Sequence, residues 1–131
     1  LLAMDTRIHG YARQQLITSW VKPSASRESL VCMDGGQLRA FATIRECREG
    51  YKIGPLMAAS SDHAYTLLSE LVAKVDATSI MLDVPEPNRS AMELAEALGL
   101  TPVFETARMY KGSMPDYRLD ELFGVASFEL G

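Results

Sequence analysis

The side chains in this sequence able to move a proton or hold a metal are few: two histidines, two cysteines and a scatter of carboxylates and tyrosines. His9 and His63, like Cys32 and Cys47, lack metal-ligand spacing. Ser61 and Ser127 have neither a paired histidine nor the nucleophile-elbow context, which argues against a serine hydrolase. What remains is general acid–base chemistry. Asp83, Glu46 and His9 are the candidates to take a proton. Asp83 is the most informative, because it interrupts an apolar strand and a carboxylate inside a sheet layer must find partners. An ion pair with Arg45 or Arg108 meets that need as well as a catalytic role does. Tyr110 and Tyr65 are the candidates to return a proton, although a tyrosine on a strand or helix is more often packed with its hydroxyl at the rim.

The chain that must position these groups has 131 residues, enough for one domain, 1–131, with a core that needs no disulfide or metal. Hydrophobic residues make up 47% and charged residues 23%, which excludes a disordered chain. A formal net charge of -4 with no run of Lys and Arg disfavours nucleic-acid binding. No apolar stretch is long enough to span a membrane, and two isolated cysteines suit a reducing compartment, so the expected location is the cytoplasm. The sequence opens Leu1-Leu2-Ala3 ahead of Met4, which fits a piece of a longer polypeptide.

Asp5 is placed to cap a single helix on which Ile8, Tyr11, Ala12, Leu16 and Trp20 recur at helical spacing until Lys22-Pro23. Strands over 29–34 and 38–46 flank the hairpin turn Asp34-Gly35-Gly36-Gln37, and a third, over 51–57, is interrupted by Gly54-Pro55. Ser61 or Asp62 caps a second helix with Leu67, Leu68 and Leu71 on its apolar face. A near-continuous apolar strand over 79–84 reads as a central strand covered on both faces, and Asn88 caps a third helix that ends at Gly99. Strands over 101–111 and 122–130 complete the order α-β-β-β-α-β-α-β-β, an α+β fold with a mixed, mostly antiparallel sheet flanked by helices. Met57, Met81, Met92, Met109 and Trp20 read as core.

Several motifs carry a resemblance. Leu82-Asp83-Val84-Pro85-Glu86-Pro87-Asn88, followed by Ala91 and Leu98-Gly99-Leu100, resembles the strand, Asn-capped helix and following turn of the GNAT (N-acetyltransferase) superfamily. Asp5, Gly10 and Arg13, Tyr51 to Leu56, Arg108-Met109-Tyr110 and the closing Ala126-Ser127-Phe128-Glu129-Leu130-Gly131 are similar to a narrower group. In that group a divergent GNAT-like domain forms the C-terminal half of a two-domain acetyltransferase.

The resemblance implies acetyl transfer from acetyl-CoA to a small-molecule or peptide amine. It implies pantetheine along the splayed strand at Ile53, Leu56 and Met57, diphosphate at the start of the next helix by Ala64, and Asn88 and Tyr110 lining the site. Aligned on Leu67-Leu68, however, the family's phosphate turn falls on Ala59, Asp62 and Ala64, and only Ala64 matches. A carboxylate at Asp62 suits a helix cap and repels phosphate. The family's usual acid position falls on Ala95, which cannot protonate a thiolate. Two readings therefore stand side by side. One is an acetyltransferase domain, with an N-terminal GNAT domain or a second copy as partner. The other is a catalytically silent GNAT-like module that binds a small ligand or packs on a catalytic domain. Asn88 is expected to matter first as a cap, in which case Asp would replace it well.

Overall fold

The computed structural model describes residues 1–130; Gly131 of the closing motif lies outside them. Its elements are α1 (Leu2–His9), α2 (Gln14–Trp20), β1 (Arg27–Asp34), β2 (Gln37–Glu46), β3 (Tyr51–Ala58), α3 (Ser61–Lys74), β4 (Ile80–Leu82), α4 (Arg89–Ala97), a 3-10 turn at Leu119–Glu121 and β5 (Leu122–Gly124). This is an α+β fold on a mostly antiparallel five-stranded sheet. Among the described residues no helix is long and apolar enough to cross a membrane.

The hairpin forms where the turn residues place it. Gly35 and Gly36 both have positive φ, 56° and 76°, as a two-residue turn requires, and Asp34 pairs with Gln37. Alternation along β2 then feeds two cores. Ala40, Ala42 and Ile44 face α3 and meet Leu67, Leu68 and Leu71, whereas Phe41 joins Met57, Met4 and Ile8 under α1. Small residues beneath α3 let that helix approach the sheet closely.

Six expectations are corrected. The first helix is broken in two, because Gly10 adopts the left-handed conformation, φ 73°, and closes α1. Asp5 does not cap it; Leu1 stands at that position, and the Asp5 carboxylate is buried. The cap of α3 is Ser60, whose Oγ accepts from the His63 backbone N–H. The strand expected over 79–84 is only Ile80–Leu82, half-buried at the end of the order β1-β2-β3-β4 and not central. Of the last two strands, 101–111 is not formed and 122–130 shrinks to Leu122–Gly124. Val103 and Met109 are 88% and 89% exposed, so Met109 is not core, and Met81 and Met92 are exposed as well.

Most of the consequence lies on the second edge of β3. Its first half pairs in parallel with β4, ending at Ile53 opposite Leu82, and its second half pairs antiparallel with β5, Leu56 opposite Gly124 and Met57 opposite Leu122. The interruption at Gly54-Pro55 implies poor pairing with the next strand near the C-terminal end of β3, and the ladder to β4 does stop at Ile53. It also predicts a cleft there, and β5 fills it instead. Gly54 is the residue that makes room: a Cβ on it would lie 2.2 Å from the Val125 carbonyl oxygen. Gly54→Ala is therefore expected to cost about 1–3 kcal/mol, the range for overpacking a closed core. A urea midpoint equal to that of the parent protein would disprove the close approach.

Candidate functional site

The residues expected to form the site are placed as follows. Ile53, Leu56, Met57 and Ala64 have no exposed surface and serve as core between sheet and helices. Asn88 is 4% exposed and every polar atom of its side chain is engaged. Its Oδ1 accepts the Ala91 N–H at 3.1 Å, capping α4 as expected. Its Nδ2 donates to the carbonyl oxygens of Leu122, at 2.9 Å, and Asp120, at 3.4 Å. Asn88 thus ties the start of α4 to the strand that fills the cleft. Only the capping half of this arrangement was legible, because the carbonyl partners lie over thirty residues away in sequence.

Asp83, at the end of β4, is 6% exposed and pairs with Lys52 Nζ at 2.5 Å. The partner is neither Arg45 nor Arg108. Lys52 opposes Met81 in the parallel ladder, and its ammonium also lies 5.3 Å from the centre of the Phe128 ring. A buried carboxylate so paired balances charge, and losing either partner would leave the other stranded.

Tyr110 stands apart from this pair, on the irregular segment after α4, where it is 39% exposed and stacks on Tyr117 with centroids 6.2 Å apart. Tyr117 in turn meets Tyr11 and His9 edge to face. Burial and a hydrogen bond to Tyr11 push the Tyr117 phenol up to about 12, so it holds its proton at neutral pH.

The candidate base His9 lies beneath these rings, and what sequence reasoning missed is that it clusters there with Asp5 and Arg13. Arg13 grips the Asp5 carboxylate with Nη2 to Oδ1 at 2.7 Å and Nε to Oδ2 at 3.3 Å. His9 Nδ1 donates to the Asp5 carbonyl oxygen at 3.1 Å, and its Nε2 is buried with no hydrogen-bond partner among the described residues. The spacing Asp5, His9, Arg13 at intervals of four was the available signal. Gly10 breaks that helix, yet Arg13 still returns to Asp5. Trp20 was expected as core; its indole N–H instead donates to the Gly54 carbonyl oxygen at 2.7 Å, and Arg27 and Arg45 lie over its ring.

At the expected phosphate turn, Ser60 Oγ lies 2.7 Å from His63 Nδ1 and holds the first-turn N–H of His63 itself. Asp62 adds a negative charge to the same turn. Of two shallow surface concavities, the one of about 300 Å3 at Arg27, Glu28 and Lys74 includes the candidate base Glu46 but no other expected site residue, and the one at Gln14, Gln15, Thr18 and Ser19 includes none. Residues that would hold coenzyme A along β3 do not fit that group here: the edge is paired, and the helix start is capped and acidic.

The sheet and its helices define an acyltransferase fold, and comparison with known proteins agrees. The family model described as Acetyltransferase (GNAT) domain matches residues 1–124, and the chain belongs to that family. It is 27% identical over 132 residues, all of its length, to Holothin acyltransferase of Pseudoalteromonas sp. (strain SANK 73390), of which it covers 45%. The crystal structure titled "A Putative Acetyltransferase" from Pyrococcus horikoshii superposes with a TM-score of 0.76 and 24% identity over 96% of this chain and 40% of that one. The chain therefore spans less than half the length of each.

Two outcomes are expected. Asn88→Ala should lose about 0.5–2 kcal/mol for the cap and more for the carbonyls it abandons. Asn88→Asp should not restore this, contrary to the expectation from capping alone, since a carboxylate would face two carbonyl oxygens; urea midpoints near those of the parent for the Asp variant would refute the double role. The second concerns His9. Burial foremost, then the Arg13 guanidinium, pushes its imidazole down from 6.5 to about 4. The unfolded chain takes up a proton below about pH 6.5 that the native one refuses, so stability falls between there and about pH 4, by on the order of 2 kcal/mol. Urea titrations across that interval should show the loss, and His9→Gln should flatten it.

Proposed function

We propose that the protein carrying this domain transfers an acetyl group from acetyl-CoA to the nitrogen of a small amine. The observation that carries this reading is the alignment of the whole chain with a protein named for acylating holothin. Membership of an acetyltransferase family supports the acetyl donor. Because the chain spans 45% of that relative and 40% of the structural neighbour, the reaction belongs to a longer polypeptide. In that polypeptide a preceding GNAT-like domain is the partner on which this domain packs. The proposal puts the reaction in the cytoplasm, where Cys32 and Cys47, both free, stay reduced.

Within this domain Asp83 and Lys52 act as a paired charge at the end of the parallel ladder and not as a free base. The full-length polypeptide, supplied with acetyl-CoA and a panel of primary amines, is expected to release coenzyme thiol only when an amine is present. Acetyl-CoA should also raise its melting temperature, the shift corresponding to about 2.7 kcal/mol at a hundredfold excess over Kd. No thiol release with any amine, together with no thermal shift, would overturn the proposal. Lys52→Met should destabilise the fold through its stranded Asp83 partner, by about 3–5 kcal/mol, measurable by urea denaturation.

A further inference from the structure

In the resemblance drawn from sequence, the free edge of the strand before α3 belongs to the coenzyme's pantetheine arm. We infer that in this chain residues 122–125 hold that edge as a permanent part of the fold, so that the acetyl donor of the longer polypeptide is not held along β3. The inference rests on the proposed acetyl-CoA chemistry only for the identity of the donor.

Backbone contact comes first. Leu56 and Met57 are paired with Gly124 and Leu122, and the Val125 carbonyl sits so close to Gly54 that no side-chain atom fits between them. The segment also bridges both strands whose divergence makes the gap, since the Val125 N–H donates to the Asp83 carbonyl oxygen at 3.0 Å. A pantetheine arm would need the same strand edge in the same place.

The side chains show that the segment is built in and not laid over a groove. Leu122 is buried with Met4, Ile8 and Phe41 on one side of the sheet, and Phe123 is buried with Leu67, Leu68 and Leu94 on the other. Lifting the strand would open both cores at once. Its entrance is fixed too: Glu121 accepts a two-pronged bond from the Arg7 guanidinium, and the Leu122 carbonyl accepts from Asn88. Gly124 packs closely as well: a Cβ there would lie 2.6 Å from Leu82 Cδ1, so that the leucine side chain would have to move. The diphosphate end agrees independently, through Ser60 on the first-turn amide and Asp62 beside it.

Amide hydrogen exchange on the 131-residue chain tests this without any substitution, using acetyl-CoA as the probe. The amides of 122–125 should exchange only through global unfolding, with protection matching that of β2, and millimolar acetyl-CoA should change protection at 54–57 and 122–125 by less than about twofold. Exchange about a hundredfold faster at 122–125 than in β2, or a loss of about tenfold or more there on adding acetyl-CoA, would overturn the inference. A parallel titration of the full-length polypeptide keeps the two readings apart. Acetyl-CoA binding there with the 122–125 edge undisturbed supports both. Absence of binding with the same undisturbed edge removes the proposed donor and leaves the closed edge standing.

Discussion

A strand covered on both faces has no water to satisfy its edge amides, so every one of them needs a partner from the chain itself. β3 is such a strand: Ile53, Leu56, Met57 and Ala58 are fully buried. β2 serves one edge, with a single register shift between Ala42 and Ile44. The other edge is shared between two short strands running in opposite directions, three residue pairs with β4 and then two with β5. Much of the rest follows from that division. Gly54 is a glycine because the Val125 backbone converges on it at the seam, and Trp20 reaches from α2 to satisfy the Gly54 carbonyl.

The segment that completes β3 arrives from far along the chain, and ionic contacts guide it in. Arg7 on α1 meets Glu121, and the Arg118 N–H donates to the Ile8 carbonyl oxygen at 2.8 Å. α1 is in turn tied to the start of α2 by the Arg13–Asp5 pair. The resulting layer, with His9 kept neutral by burial among cations, covers the face of the sheet opposite α3. Charge here orders the contacts as well as stabilising them, since a buried Asp5 without Arg13 would be costly.

What the sequence reveals is mostly local. The Gly-Gly hairpin, the apolar face of α3 and the Asn88 cap each depend on residues within a few positions of one another, and each is found where the pattern puts it. The parting of β3 and β4 was legible too, in Gly54-Pro55. That β5 then fills the gap was not, because the reason lies in Gly54 meeting Val125, contacts between residues with nothing periodic to link them. Residues 101–111 misled for the opposite reason. Their β-forming composition is real, but composition cannot supply a neighbouring strand, and among the described residues none is adjacent. Asp83 shows both sides of the matter: the need for a partner was plain from its apolar setting, and Lys52 as that partner followed from a parallel register the sequence does not display.

The same unpaired stretch carries a consequence of its own. Residues 101–114 join α4 to the returning strand without a backbone-to-backbone hydrogen bond among the described residues, and Phe104 is 72% exposed. Solvent-facing chain outside regular secondary structure is what a protease attacks. A single cut there would divide the polypeptide into a large fragment carrying four of the five strands and a small one carrying the fifth. The small piece would nevertheless remain seated by Leu122, Phe123 and the Arg7–Glu121 clasp. Covalent continuity and architectural continuity are thus separable in this domain: its last strand could be delivered as a peptide.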